Sequence, residues 1–231
     1  MRSPSCLNDE KIKSACRFKI AAQLNITKWY KSGLNLLGHV QIYDARTETF
    51  VNHPHSTLDN PLVHLEGPFL YFLSTVNVDR LEPAFRITPL IRTLPSSSPS
   101  CDIVIIRPLQ SPSIVEDSLE ARASFVEKIW AVLGAAYQDG LHIQMRYNND
   151  GKVVLGGDGP AVVEYIRCNG WEWIPVRIQC SFVILYLILP QETADKDAHL
   201  VCSDGAIHSI SEGGRAVCNV NGLGHGIRIY K

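Results

Sequence analysis

Charge is scarce in this chain, and neither sign prevails. Only 19% of its 231 residues are Asp, Glu, Lys or Arg, and 22 basic against 23 acidic residues leave a formal net charge of −1. No bulk field therefore draws the chain to nucleic acid or to an anionic membrane. The seven cysteines (Cys6, Cys16, Cys101, Cys168, Cys180, Cys202 and Cys218) contain no Cys-x-x-Cys, and no Cys/His grouping has zinc-site spacing. Residues 1–10 hold no apolar core segment, so a secretory signal is not expected. The odd, dispersed thiols then read as free or buried groups in a reducing compartment. The apolar run Cys180–Pro190 is 11 residues long, well short of the ~20 that cross a bilayer. There is no Gly-x-Ser-x-Gly elbow to support a hydrolase. These absences leave a soluble, cytoplasmic protein as the expectation.

What is present is apolar and mostly β-prone. Apolar residues make up 45% of the chain, enough for a sizeable core. A helix-compatible stretch covers Lys11–Leu24, and short Val-, Ile-, Phe- and Tyr-rich runs then take over. Strands are predicted at 37–43, 69–77, 102–107, 161–167, 200–202, 207–210 and 216–220, around turns at Asp204-Gly205 and Gly213-Gly214. One long helix interrupts them. Ser113 and Glu116 have capping-box spacing, and Leu119, Val126, Ile129, Trp130, Leu133, Ala136 and Tyr137 keep a helical rhythm as far as Gly140. The prediction is a mostly-β (α+β), β-sandwich-like domain with one long amphipathic helix. Residues 1–36 form a helical lead-in, 37–220 the β-domain and 221–231 a tail.

Four features admit both a chemical and a structural reading. Gly156-Gly157-Asp158-Gly159 could cradle phosphate with backbone amides or could be a tight turn, and Pro160 removes one N–H from any cradle. His53 and His55 with Asp59 and His64 carry metal-ligand chemistry, but in the composition of a surface loop. Trp171 and Trp173 alternate as either an aromatic platform or one face of a core strand. Val176–Gln191 is a 16-residue segment with Arg177 as its only charge, read as an extra buried strand or as translated intron. Nothing identifies a catalytic residue or a metal ligand set.

An ordered series of segments carries a resemblance. Gly67-Pro68-Phe69-Leu70-Tyr71-Phe72-Leu73 leads to Asn77-Val78-Asp79-Arg80-Leu81-Glu82-Pro83 and Phe85-Arg86-Ile87-Thr88-Pro89-Leu90. Cys101-Asp102-Ile103-Val104-Ile105-Ile106-Arg107-Pro108, Gly140-Leu141-His142, Val163-Glu164-Tyr165 and Ser203-Asp204-Gly205 follow. In this order they resemble the C-terminal β-domain of the diacylglycerol kinase and sphingosine (long-chain base) kinase family of lipid kinases. The likeness runs from about Ala15 to Val220.

The resemblance implies a division of labour. In that family an N-terminal α/β domain holds ATP and Mg²⁺ through a Gly-Gly-Asp-Gly-Thr loop, and the β-domain closes over the lipid whose hydroxyl is phosphorylated. The N-terminal domain is not expected in this sequence, so the isolated chain is expected to be inactive. Gly156–Gly159 matches the nucleotide loop only superficially, because it follows features of the second domain. The likeness places Asp204 and Gly205 on the nucleotide side, where Ala206 replaces the family's usual glutamate and can neither coordinate Mg²⁺ nor hydrogen-bond. It places Leu133, Tyr137 and His142 against the lipid. The implied partners are a sphingoid base or diacylglycerol, with a homodimer and peripheral membrane contact as further possibilities. The alternative is a non-catalytic lipid-binding or dimerisation module.

Overall fold

The computed structural model describes residues 22–27, 39–57, 59–60, 62–67, 69–114, 119–175, 196–220 and 226–231. The described chain is mostly β. Its strands are β1 (Ala22–Thr27), β2 (Gln41–Asp44), β3 (Thr49–Asn52), β4 (Val63–Glu66), β5 (Tyr71–Thr75), β6 (Cys101–Ile106) and β7 (Met145–Tyr147). They continue with β8 (Val153–Leu155), β9 (Glu164–Cys168), β10 (Gly170–Pro175), β11 (Leu200–Ser203), β12 (Ala206–Ser209), β13 (Arg215–Asn219) and β14 (Gly226–Tyr230). A short helix, α1 (Leu90–Thr93), precedes β6, and the long helix α2 spans Leu119–Ala136.

Two five-stranded antiparallel sheets form the frame, ordered β14-β13-β10-β1-β4 and β3-β2-β9-β6-β5. Alternation explains how they meet. Leu24 and Ile26 of β1, Trp171 and Trp173 of β10 and Cys218 of β13 face Cys101, Ile103 and Ile105 of β6 and Ile166 and Cys168 of β9 across one core. Phe72 of β5 joins the layers, its ring 5.0 Å from Trp171 and 5.1 Å from Trp173. The alternating tryptophans are thus a core face; both are buried.

The second sheet is covered on its other side too. Val104, Ile106 and Tyr165 pack with Phe125, Ile129, Val132 and Ala136 of α2 and with Phe85, Ile87 and Leu90. All six residues of β6 are consequently buried. Helix α2 is less cleanly two-faced than its periodicity predicts. Val126, Ile129 and Ala136 point inward, but Trp130 and Tyr137 are 43% and 50% exposed. The predicted stop holds: the turn after α2 closes at Gly140, whose φ of +83° suits glycine. The capping-box glutamate, Glu116, lies outside the described residues, and Ser113 instead accepts a hydrogen bond from Lys128 Nζ (2.7 Å).

The sheets draw on residues beyond the predicted limits of 37 and 220. β1 lies in the expected lead-in and β14 in the expected tail, yet β1 pairs with both β10 and β4, and β14 pairs with β13. Ala22–Leu24, expected at the end of a helix, are strand because Leu24 and Ile26 alternate into the core. The rest of the Lys11–Leu24 expectation and the Val176–Gln191 segment lie outside the described residues.

Two histidines are folded in as neutral groups. His53 is buried beside His55, and its Nδ1 accepts the His55 N–H. His142 is buried and donates from Nε2 to Ile87 O (3.0 Å). Burial first of all lowers both to about 4, with His55 and Arg107 adding to the effect at His53. An unfolded imidazole takes up its proton near pH 6.5. Stability is therefore complete above about pH 6.5 and falls as the pH drops towards 4, by about 2 kcal/mol per histidine at pH 5. Urea unfolding at pH 7 and pH 5 should show this loss, and His142→Gln should remove about half of the histidine-dependent part.

Candidate functional site

Because β6 is covered on both faces, a charged residue within it needs an internal partner. Asp102 is that residue, and the β6–β9 register sets it directly opposite Arg167. The pairing is bidentate: Arg167 Nε donates to Oδ1 at 2.8 Å and Nη2 to Oδ2 at 2.9 Å. Tyr165, one step diagonal on the same face, donates its hydroxyl to Oδ2 at 2.6 Å. Arg167 Nη1 also donates to Leu94 O (2.5 Å), and the guanidinium lies 4.1 Å over the Phe50 ring. Burial pulls the guanidinium down, but the hydrogen bonds and charge of Asp102 outweigh it and hold Arg167 above its ordinary value. Burial, then the Asp102 charge, pushes the Tyr165 hydroxyl far up. In this triad both shifts keep the guanidinium charged and the phenol neutral beside Asp102.

Two clefts open on either side of the Pro95–Ser100 segment, and Arg167 reaches both. One, of about 270 Å³, is bordered by Asn77, Ser96, Ser98, Ser100 and Asp102. The other, of about 430 Å³, is bordered by Gln41, Thr49, Thr93 and Ser96–Ser98. Hydroxyls rim both, and the single cation on the floor is already neutralised by Asp102. Such surroundings suit a neutral, hydroxyl- or carbonyl-bearing group better than a bare anion. The sequence offered one signal for this pair: Asp102 and Arg167 are charges inside runs that otherwise read as buried strand. That signal went unread because nothing in the sequence aligns the two runs.

The residues assigned to the lipid do not share these clefts. Tyr137 and His142 instead clasp the 79–89 loop to the end of α2. Leu133 is half-buried in the helix-side core. The Tyr137 ring lies 4.8 Å from Phe85, with its hydroxyl donating to Glu82 Oε2 at 3.3 Å. His142 holds Ile87. The same loop is rooted at Asp79, which is buried and receives Arg86 Nε at 2.8 Å.

Two amides of the glycine loop are already engaged by backbone carbonyls. The Gly159 N–H donates to Tyr147 O (2.7 Å), and the Gly156 N–H donates to Gln144 O (3.4 Å). A Cβ on Gly157 or Gly159 would come within 2.7 or 2.5 Å of Tyr147 O, so these glycines allow the loop to lie flat on β7. Arg46 reaches Asp158 O, and Arg146 Nε donates to Gly159 O at 2.9 Å.

Asp204 and Gly205 occupy the tip of the β11–β12 hairpin, with φ of +49° and +82°. Two positive values in sequence define the turn whose twist suits a two-residue hairpin. All four residues of β12 are exposed. His53 and His55 meet edge to face with ring centroids 5.3 Å apart, but His64 turns to Glu66 Oε1 at 3.5 Å. Among the described residues no group of three or more His, Cys, Asp or Glu side chains could hold a metal ion. No described helix is long and apolar enough to cross a membrane.

With the geometry in view, comparison with known proteins adds no relative: no family model, curated protein or solved structure matches the chain.

The triad predicts a specific pattern of stability. Asp102→Ala leaves Arg167 buried without its counter-charge and should cost about 3–5 kcal/mol in urea unfolding. Combining Asp102→Leu with Arg167→Met removes both charges together, and most of that loss should be recovered.

Proposed function

We propose that this chain is the lipid-gripping β-domain of a lipid kinase similar to the diacylglycerol and sphingoid-base kinases. On this reading it is β-sandwich-like with one long helix, and it receives a lipid whose hydroxyl is phosphorylated from Mg²⁺-ATP held by a separate nucleotide domain. The observation that carries the reading is the β11–β12 hairpin. It presents Asp204-Gly205-Ala206 at its tip and leaves β12 uncovered, as an arm that completes a neighbouring nucleotide site would. The outward face of α2 supports the lipid side. Trp130 on the helix and Tyr137 just past its end expose large aromatic surface seven residues apart, with the half-buried Leu133 between them.

The glycine loop adds to the case against nucleotide binding by this chain alone, since Tyr147 O and Gln144 O already take two of its amides. Phosphoryl transfer rests on positioning and charge neutralisation of the triphosphate, so the chain by itself should not turn over ATP. One observation favours the non-catalytic alternative: exposed Ala206 offers a methyl group where a metal-binding carboxylate would serve the reaction.

Lipid binding by the isolated chain tests the reading. Sedimentation with neutral vesicles containing sphingosine or diacylglycerol should retain the chain. Tyr137→Asp, at a half-exposed position, should weaken retention by about tenfold or more, because a carboxylate cannot follow the ring into apolar surroundings. Urea unfolding of the variant separates this from its lost contact with Phe85. Equal retention of both proteins, or none of either, would remove the lipid side of the proposal. Hydrolysis of Mg²⁺-ATP by the chain alone would remove its division of labour.

A further inference from the structure

The β6–β9 register that joins Asp102 to Arg167 also sets Cys101 opposite Cys168, one step along and on the other face of the sheet. Their sulfurs are 3.3 Å apart, although the residues are separated by 67 positions in the chain. Both side chains are fully buried, and both are free thiols. Directly opposed residues of an antiparallel pair have Cα atoms about 4.5–5.5 Å apart, inside the range that a disulfide spans. A third thiol, Cys218, comes to Cys101 from β13 of the facing sheet.

We propose that Cys101 and Cys168 form a modification site: a cross-strand disulfide that locks β6 to β9 beneath the Asp102–Arg167 pair. The chemistry balances with a low-molecular-weight disulfide such as oxidised glutathione. The Cys101 thiolate attacks it and releases one glutathione thiolate. The Cys168 thiolate then attacks the Cys101 sulfur of the mixed disulfide and releases the second. Two protein thiols are oxidised, one glutathione disulfide is reduced to two thiols, and the two protons pass to the departing thiolates. In the folded protein the reaction is slow, because neither sulfur meets solvent and the hydrogen bond with Cys168, together with burial, pushes the Cys101 thiol well up. The bond therefore forms as the sheet closes, and it is retained once buried.

Refolding the full chain in reduced and oxidised glutathione tests this. A non-reducing tryptic digest, read by mass spectrometry, should join the peptide holding Cys101 to the peptide that begins at Cys168. The oxidised protein should unfold at higher urea than the reduced one, with a folding constant about 30- to 1,000-fold larger, and dithiothreitol should reverse both changes. Cys168→Ala should abolish the link and the shift, measured against its own reduced form. The wild-type digest stands by itself if that variant does not fold. Linkage of Cys101 to Cys218 instead, or Cys101 and Cys168 both still alkylated after oxidative refolding, would overturn the proposal. So would a Cys101–Cys168 link that leaves the urea midpoint unmoved.

Discussion

The structure depends on one strand pair that has no side open to water. β6 and β9 lie inside the second sheet, with the first sheet on one face and α2 with its neighbouring loops on the other. A pair covered in this way must satisfy every polar group internally, and an unpaired charge there would cost several kcal/mol. Asp102 meets that condition through Arg167 and Tyr165, and Arg167 completes its own donors on Leu94 O. At the end of the strand pair the same solution recurs between Arg107, one residue past β6, and Glu164, the first residue of β9, joined by two hydrogen bonds of 2.7 Å. A one-residue slip between β6 and β9 would carry these charges onto the face of the other core. The ion pairs thus specify register as well as compensate for burial.

From that axis the two sides of the molecule take different roles. The sheet-to-sheet side is dry, filled by the tryptophans, Phe69 and Phe72 and the isoleucines of β6 and β9. The helix side is mixed. There the 79–89 loop is tied down by Asp79 and His142, the 111–113 turn by Lys128, and the Pro95–Ser100 segment lies over Arg167. The clefts and the exposed aromatic residues of α2 both lie on this side. The β11–β12 hairpin, by contrast, takes no part in either five-stranded sheet. Its one anchor to the sheet-to-sheet core is Val201, and all four residues of β12 are exposed among the described residues.

The legible part of the fold was the part with local signals. The run of β-branched residues at 102–107 and the turns at Asp204-Gly205 and Gly140 identify themselves within a few residues, and each is found within a residue or two of its expected place. The tryptophan alternation at 171 and 173 likewise suffices to put both rings on one side of a strand. The orientation of α2 was less legible. Trp130 and Tyr137 fit the apolar rhythm, and only the position of the core shows that Trp130 is left exposed and Tyr137 touches the core only through Phe85. The close approach of Gly157 and Gly159 to Tyr147 O was not visible either, since it depends on the β7–β8 ribbon folding beneath the loop.

By itself the sequence determined a mostly-β chain with one long helix, where most of its strands turn, and which residues are too apolar to face water, because strand period, turn chemistry and burial preference act over short spans of chain. Tertiary structure decided which strands are neighbours, and with them the pairing of Asp102 with Arg167, the approach of Cys101 to Cys168 and the recruitment of β1 and β14 from the flanks. Those relations join residues tens of positions apart. They arise only when two covered faces close over one strand pair and leave Asp102 and Cys101 the partners that the register sets opposite them.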